Sequence, residues 1–265
     1  MRLTIVGCSG SFPGPASPAS CYLVTAHDGI RPWRILLDLG SGALGSVQKY
    51  MDLQDIDAIF LTHLHPDHCM DLCGLHVAVR WDPHGWTAGR IKVWGPAATA
   101  DRLATAYGLE LEPGMREEFD FRLWTDGVPV ELGPFRITPH AVNHPVEEAY
   151  ALRVEATEYD GTGVDRISTL AYSGDTDSCR GLEEAAQNAQ LFLCEAAFEE
   201  GRDDAIRGVH LTGKRAAQAA AKANARRLLL THLPVWTDAN HVVAEAMPEY
   251  SGDVAVAVAG VHYHV

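Results

Sequence analysis

The chain has 265 residues, with 35 Asp or Glu against 21 Lys or Arg and a net charge of −14 at pH 7. So acidic a protein lacks the broad phosphate-binding face that extended nucleic acid requires, because that affinity comes from Lys and Arg neutralising phosphates. No run approaches the roughly 18 apolar residues of a membrane span, and 47% hydrophobic residues is the mix of a globular fold with a sizeable core.

Short apolar runs bounded by Gly, Ser and Pro alternate with stretches of helical spacing. Leu3 to Val6 predicts a first strand rather than a secretory signal, and Gly7 to Ser11 turns the chain. Cys21 to Thr25 and Arg34 to Asp38 predict strands, and Ala43 to Tyr50 a helix. Asp57 to Leu61 reads as a buried strand, and Met70 to Arg80 has helical spacing. A strand over Ile91 to Trp94 and a helix over Ala97 to Tyr107 follow, then a meander of strands at Val130 to Leu132, Phe135 to Ala141 and Ala149 to Glu155.

The last third predicts strands at Leu170 to Ser173, Leu191 to Leu193, Arg227 to Leu230 and Val254 to Val258. Helices fit Leu182 to Asn188 and Ala239 to Tyr250, and Thr212 is placed to cap an Ala-rich helix running to Asn224. His262 and His264 alternate on a terminal strand. No linker divides the chain, so it reads as one α/β domain over residues 1–265. Six scattered cysteines with no C-x-x-C pair are expected as reduced thiols, which makes the cytoplasm the expected location.

Thirteen histidines are many for this length, and three crowd into His63-Leu64-His65-Pro66-Asp67-His68 at the end of a buried strand. Imidazoles there cost free energy unless something binds them. His63 and His65 are two apart, so an extended backbone turns both to one side, where they can grip one metal ion. Asp67 and His68 follow at the turn into a helix and can face a second. His232, ending the echoing run Leu228-Leu229-Leu230-Thr231-His232, and His144 are candidates to complete the two sites. Asp175, after Tyr172-Ser173-Gly174, can bridge them. His140 shares a face with His144 in an extended segment and competes for that place. Such a donor set suits zinc first, with manganese or iron as alternatives, and paired metals activate water against phosphoryl or carbonyl centres. His27, His76, His84 and His241 read as surface or satisfied core residues. Cys69 and Cys73, four apart on one helix, read as packing. Trp81, Trp86, Trp124 and Trp236 can serve a pocket or an interface, although aromatics so placed are more often core.

The stretches "VGCSGSFPG", "LLDLGSG", "THLHPDH", His144, "YSGDT" and "LLLTHLP" occur in the order and kind of the metallo-β-lactamase superfamily, which the chain resembles over nearly its whole length. The resemblance implies a four-layered αβ/βα sandwich with a dinuclear site at the sheet edges. It assigns His63, His65 and His144 to one metal, Asp67, His68 and His232 to the other, and Asp175 to both, with Asp38 supporting them. "LCEAAFEE" and the stretch from Val209 to Pro234 are similar to the ribonuclease Z-like branch. Three departures count against tRNA processing. Cys194 stands where that branch has a histidine, Pro13 to Ser20 carries no basic residue, and Asp175 follows His144 by only 31 positions, too few for a protruding arm.

A nearer resemblance is to actinobacterial proteins of this fold described as atypical class II cyclic-nucleotide phosphodiesterases. "GPASPAS", "HCMDL", "FLCEA", "HLTG" and "PVWT" carry it. It implies hydrolysis of 3′,5′-cyclic AMP to 5′-AMP by a metal-bound hydroxide, with Asp67 as ligand and proton acceptor. His210 is the candidate donor to the phosphate or leaving group, against a structural histidine at a helix entrance. The expected partner is a small phosphodiester, with no membrane and no extended nucleic acid. Relatives are often dimers, so the resemblance allows a homodimer, while the sequence itself does not fix the oligomer. The alternatives are tRNA 3′-processing, a cyclic ribose phosphate or lactone hydrolase on the same scaffold, and a metal-stabilised binding protein.

Overall fold

A computed structural model describes residues 1–159 and 165–265, and two seven-stranded sheets account for its strands. The first half of the chain supplies β1 (Arg2–Gly7), β2 (Cys21–His27), β3 (Pro32–Leu37), β4 (Ala58–Phe60), β5 (Ile91–Gly95) and β6 (Phe119–Leu123). The second half supplies β7 (Val130–Leu132), β8 (Phe135–Ala141), β9 (Tyr150–Tyr159), β10 (Asp165–Tyr172), β11 (Leu191–Glu195), β12 (Arg227–Thr231), β13 (Asp253–Val256) and β14 (His262–His264). One sheet has the order β14-β1-β2-β3-β4-β5-β6 and the other β13-β12-β11-β10-β9-β8-β7. Each is antiparallel at one end and parallel from β3 to β6 or β10 to β13.

Side-chain alternation along the strands builds the layers. Leu37 and Phe60 point inward and meet Leu170, Tyr172 and Leu193 of the other sheet in a shared core. Their neighbours Leu36 and Ile59 point outward and pack under α1 (Ala43–Val47), α2 (Pro66–Cys69), α3 (Leu72–Trp81) and α4 (Thr99–Tyr107). On the far side, Ala171, Phe192 and Leu230 pack under α5 (Arg180–Ala186), α6 (Gly213–Lys222) and α7 (Ala239–Ala246). The result is the expected αβ/βα sandwich. Strands buried on both faces explain the unbroken apolar runs such as Leu228 to Leu230, each such side chain contributing about 1.5–3 kcal/mol by burial.

Several elements differ from expectation for local reasons. The helix from Ala43 stops at Val47, because Lys49 and Tyr50 bond three residues back, to Ser46 and Val47, and tighten the last turn. The helix after the His-rich stretch is broken: the Asp71 N–H donates to the Leu39 carbonyl and leaves the helical ladder, so Cys69 and Cys73 fall on separate helices. The strand β6 was not expected, although Phe119, Phe121 and Leu123 alternate with polar residues as an edge strand does. Thr212 caps α6 as expected, its side chain accepting from Arg215 N. The Leu-Thr-His echo does not fall on equivalent strands, since β4 is the first parallel strand after β3 and β12 the second after β10. All six cysteines are free, and among the described residues no helix is long and apolar enough to cross a membrane.

Candidate metal centre

Loops leaving the carboxyl ends of β3, β4, β8, β10 and β12 converge at one edge of the two facing sheets. They carry Asp38, His63 to His68, His144, Asp175 and His232. Asp38 and His232 lie in the left-handed region, at φ 57° and 58°, a backbone cost of about 1–3 kcal/mol each that turns both side chains toward the centre. Two motif glycines let neighbouring loops close over it. A Cβ on Gly40 would stand 1.8 Å from the Asp67 carbonyl oxygen, and one on Gly10 would stand 2.2 Å from that of His232.

The ligand atoms form two groups that share Asp175. In the first, His65 Nδ1 lies 3.1 Å from both His63 Nε2 and His144 Nε2, and Asp175 Oδ2 lies 3.8 Å from His63 Nε2. In the second, Asp175 Oδ1 lies 3.2 Å from His68 Nε2 and 3.0 Å from His232 Nδ1, while Asp67 Oδ2 lies 3.4 Å from His68 Nε2. The structure thus brings all seven residues together. It separates His140 from His144: His140 turns to Glu184 of α5, 3.9 Å away, outside the cluster.

Four buried atoms of the second group, Asp67 Oδ2, His68 Nε2, Asp175 Oδ1 and His232 Nδ1, have no hydrogen-bond partner, although each is a polar group that burial penalises. They aim at one another, which is how donors around a cation are arranged. The first group fits a cation for a second reason. Burial pushes His63, His65 and His144 below the ordinary imidazole range, with Asp175 opposing in each case, so all three favour the neutral form that binds metal. Asp175 is held well below the carboxylate range: burial opposes this, but His232 and His68 outweigh it.

Outer contacts set the ring orientations. His144 Nδ1 donates to the Val209 carbonyl at 2.8 Å, which leaves Nε2 bare toward the cluster. His68 Nδ1 donates to Asp38 Oδ2 at 2.7 Å. Fully buried Asp38 also accepts from Thr62 N and from the Tyr172 hydroxyl, both at 2.8 Å. Asp38→Asn keeps the backbone conformation that Asn tolerates but sets an NH2 among these donors. Metal affinity is expected to fall by about 10–100-fold, read by competition with a chelator; unchanged affinity removes Asp38 from this role.

A family model described as a β-lactamase superfamily domain matches residues 33–233. The chain belongs to that superfamily. A Mycobacterium leprae protein is 43% identical over 263 residues, 98% of this chain and 87% of its own. The crystal structure of the metallo-β-lactamase fold protein YhfI from Bacillus subtilis is 27% identical with a TM-score of 0.80, covering 99% of this chain and 98% of that one. The short form of human tRNase Z, at 19% identity and TM-score 0.73 over 100% of this chain and 99% of its own, shares the fold. The match to the superfamily and to YhfI, named a probable metallo-hydrolase, makes this chain a metallo-hydrolase in broad class.

Within this superfamily member, one residue that the motifs left without a role stands at the centre. Glu195, fully buried at the end of β11, accepts from His210 Nδ1 at 2.8 Å and from the Thr176 and Ala197 N–H groups. Burial lowers the His210 imidazole, but the Glu195 charge and hydrogen bond, with Asp175, outweigh it and push it up to about 9. Its position one residue after Cys194 on a strand aimed at the site was the available signal. A buried Arg215–Asp177 pair at 2.6 Å anchors α6, and Asp177 also accepts from Gly208 N beside His210.

Proposed function

We propose that the protein hydrolyses a small cyclic nucleotide, 3′,5′-cyclic AMP to 5′-AMP first, at a centre of two divalent cations, with zinc as the preferred pair. His63, His65 and His144 would hold one ion, Asp67, His68 and His232 the other, and Asp175 both. The observation that carries this reading is the pair of donor groups sharing one carboxylate, next to a histidine–carboxylate dyad. Paired cations supply a water of lowered pKa and neutralise charge on phosphate oxygens.

The chain's own residues do the rest. Asp67, whose pKa is lowered to about 2 because His68 and His232 outweigh the effect of burial, is an anionic acceptor beside the attacking water. Water adds to phosphorus, the P–O3′ bond breaks, and the 3′-oxygen takes a proton. His210 has Nδ1 committed to Glu195, which leaves Nε2 as the nitrogen to deliver it. The acidic surface and the basic-free loop from Pro13 to Ser20 favour this small substrate over pre-tRNA.

The test is 5′-AMP formation from 3′,5′-cyclic AMP by zinc- or manganese-loaded protein, with His63→Ala as control and pre-tRNA and a lactone as contrast substrates. Metal-dependent turnover that vanishes in the control is the expected result. Cleavage of pre-tRNA or lactone alone, by protein holding two ions, overturns the substrate.

A further inference from the structure

A cavity of about 370 Å³ opens beside the centre, walled by Phe198, Arg202, Asp203, His210 and Trp236. His210 joins the two places, since its ring walls the cavity and its Nδ1 stands 4.0 Å from Asp175 Oδ2. Trp236 is 60% exposed and leans on Phe12, ring centroids 5.3 Å apart, so an indole is held in place at the cavity with much of its surface uncovered. Phe198 supports the wall from the other side, edge-on to His210 at 5.0 Å.

The charge of the wall says what enters. The Arg202 guanidinium forks onto Glu199 and Asp203, at 2.6 Å each, so the trio carries a net negative charge and no free cation. The other cationic group of the wall, His210, is paired with Glu195 and stands by Asp175, so a phosphate is favoured at that end and repelled beside the Arg202 trio, where a neutral planar ring loses nothing and covers the indole. A second cavity near His65 and His144, lined by Leu64, Pro96, Val146, Glu147 and Glu148, has no aromatic wall.

We propose that the Trp236 cavity is the subsite for the base of a nucleoside monophosphate or its cyclic ester, with the base stacked on the indole. The proposal rests on the phosphodiesterase reading for the place of the phosphate. Stacking accepts any base, because each presents a π face.

The test is calorimetric binding of 5′-AMP and of ribose 5-phosphate to the metal-loaded protein and to its Trp236→Ala and Trp236→Phe variants. The unaltered protein is expected to bind 5′-AMP about tenfold or more tighter than ribose 5-phosphate. Trp236→Ala should erase most of that ratio without moving ribose 5-phosphate, and Trp236→Phe should restore it. Equal affinities in the unaltered protein, or a parallel loss of both ligands in Trp236→Ala, overturn the subsite. Cyclic AMP turnover measured alongside separates the two claims. Turnover without base-dependent binding removes the subsite alone, and base-dependent binding without turnover keeps the subsite and removes the proposed reaction.

Discussion

Replacing Asp175 with asparagine is expected to reduce bound divalent ion from two per chain to one or none and to cut turnover by about 10³-fold, the several kcal/mol that a Lewis-acidic centre supplies. Asp175 is the one residue common to the three donor groups among the described residues, and its two oxygens divide between them. Oδ1 faces His68 and His232, and Oδ2 faces His63 and His210. Asparagine keeps the shape but offers one oxygen and no charge, so one group loses its shared ligand and the cluster a buried anion. Metal content by atomic emission and turnover on the same preparation check this. Two retained ions with near-normal turnover would place the bridging role elsewhere. Circular dichroism of the variant separates loss of metal from loss of fold.

The site was legible where its chemistry is local. His63, His65, Asp67 and His68 lie within six positions, and the alternation of an extended segment already turns the first two together. His144 was not separable from His140 by that rule, because both sit on one face of an extended chain. The structure separates them where β8 ends at Ala141: the Asp177 N–H bonds to the Asn143 carbonyl, and His144 is turned onto Val209. Glu195 stayed without a role for a different reason. Its function lies in a contact with a residue fifteen positions away on a loop, and no spacing rule encodes that. The sequence offers Trp236 and Trp124 the same choice between core and pocket. Trp124 is buried and donates to the Leu61 carbonyl, whereas Trp236 stands largely exposed, and composition treats the two alike. The layered fold was legible because strands buried on both faces leave apolar runs. The edge strand β6, half polar, left a fainter mark.

His210→Ala is expected to lower kcat by about 10²–10⁴-fold with both ions retained, the range for losing a positioned proton donor. Glu195→Gln should cost a smaller part of the same effect, because Glu195 acts through His210. The double variant should then be little worse than His210→Ala alone, since partners in one unit are not additive. The pH profile distinguishes this from a structural role. A donor works while protonated, so activity falls as pH rises through its pKa, and the Glu195 carboxylate is the principal group raising His210 to about 9 against burial. Cations in the adjacent cluster pull that value down in the loaded protein. Glu195→Gln removes the anion, so the alkaline limb should move to lower pH while the acid limb stays. An unmoved alkaline limb, or a loss of bound metal in His210→Ala, would make the dyad a strut for the loop that carries it.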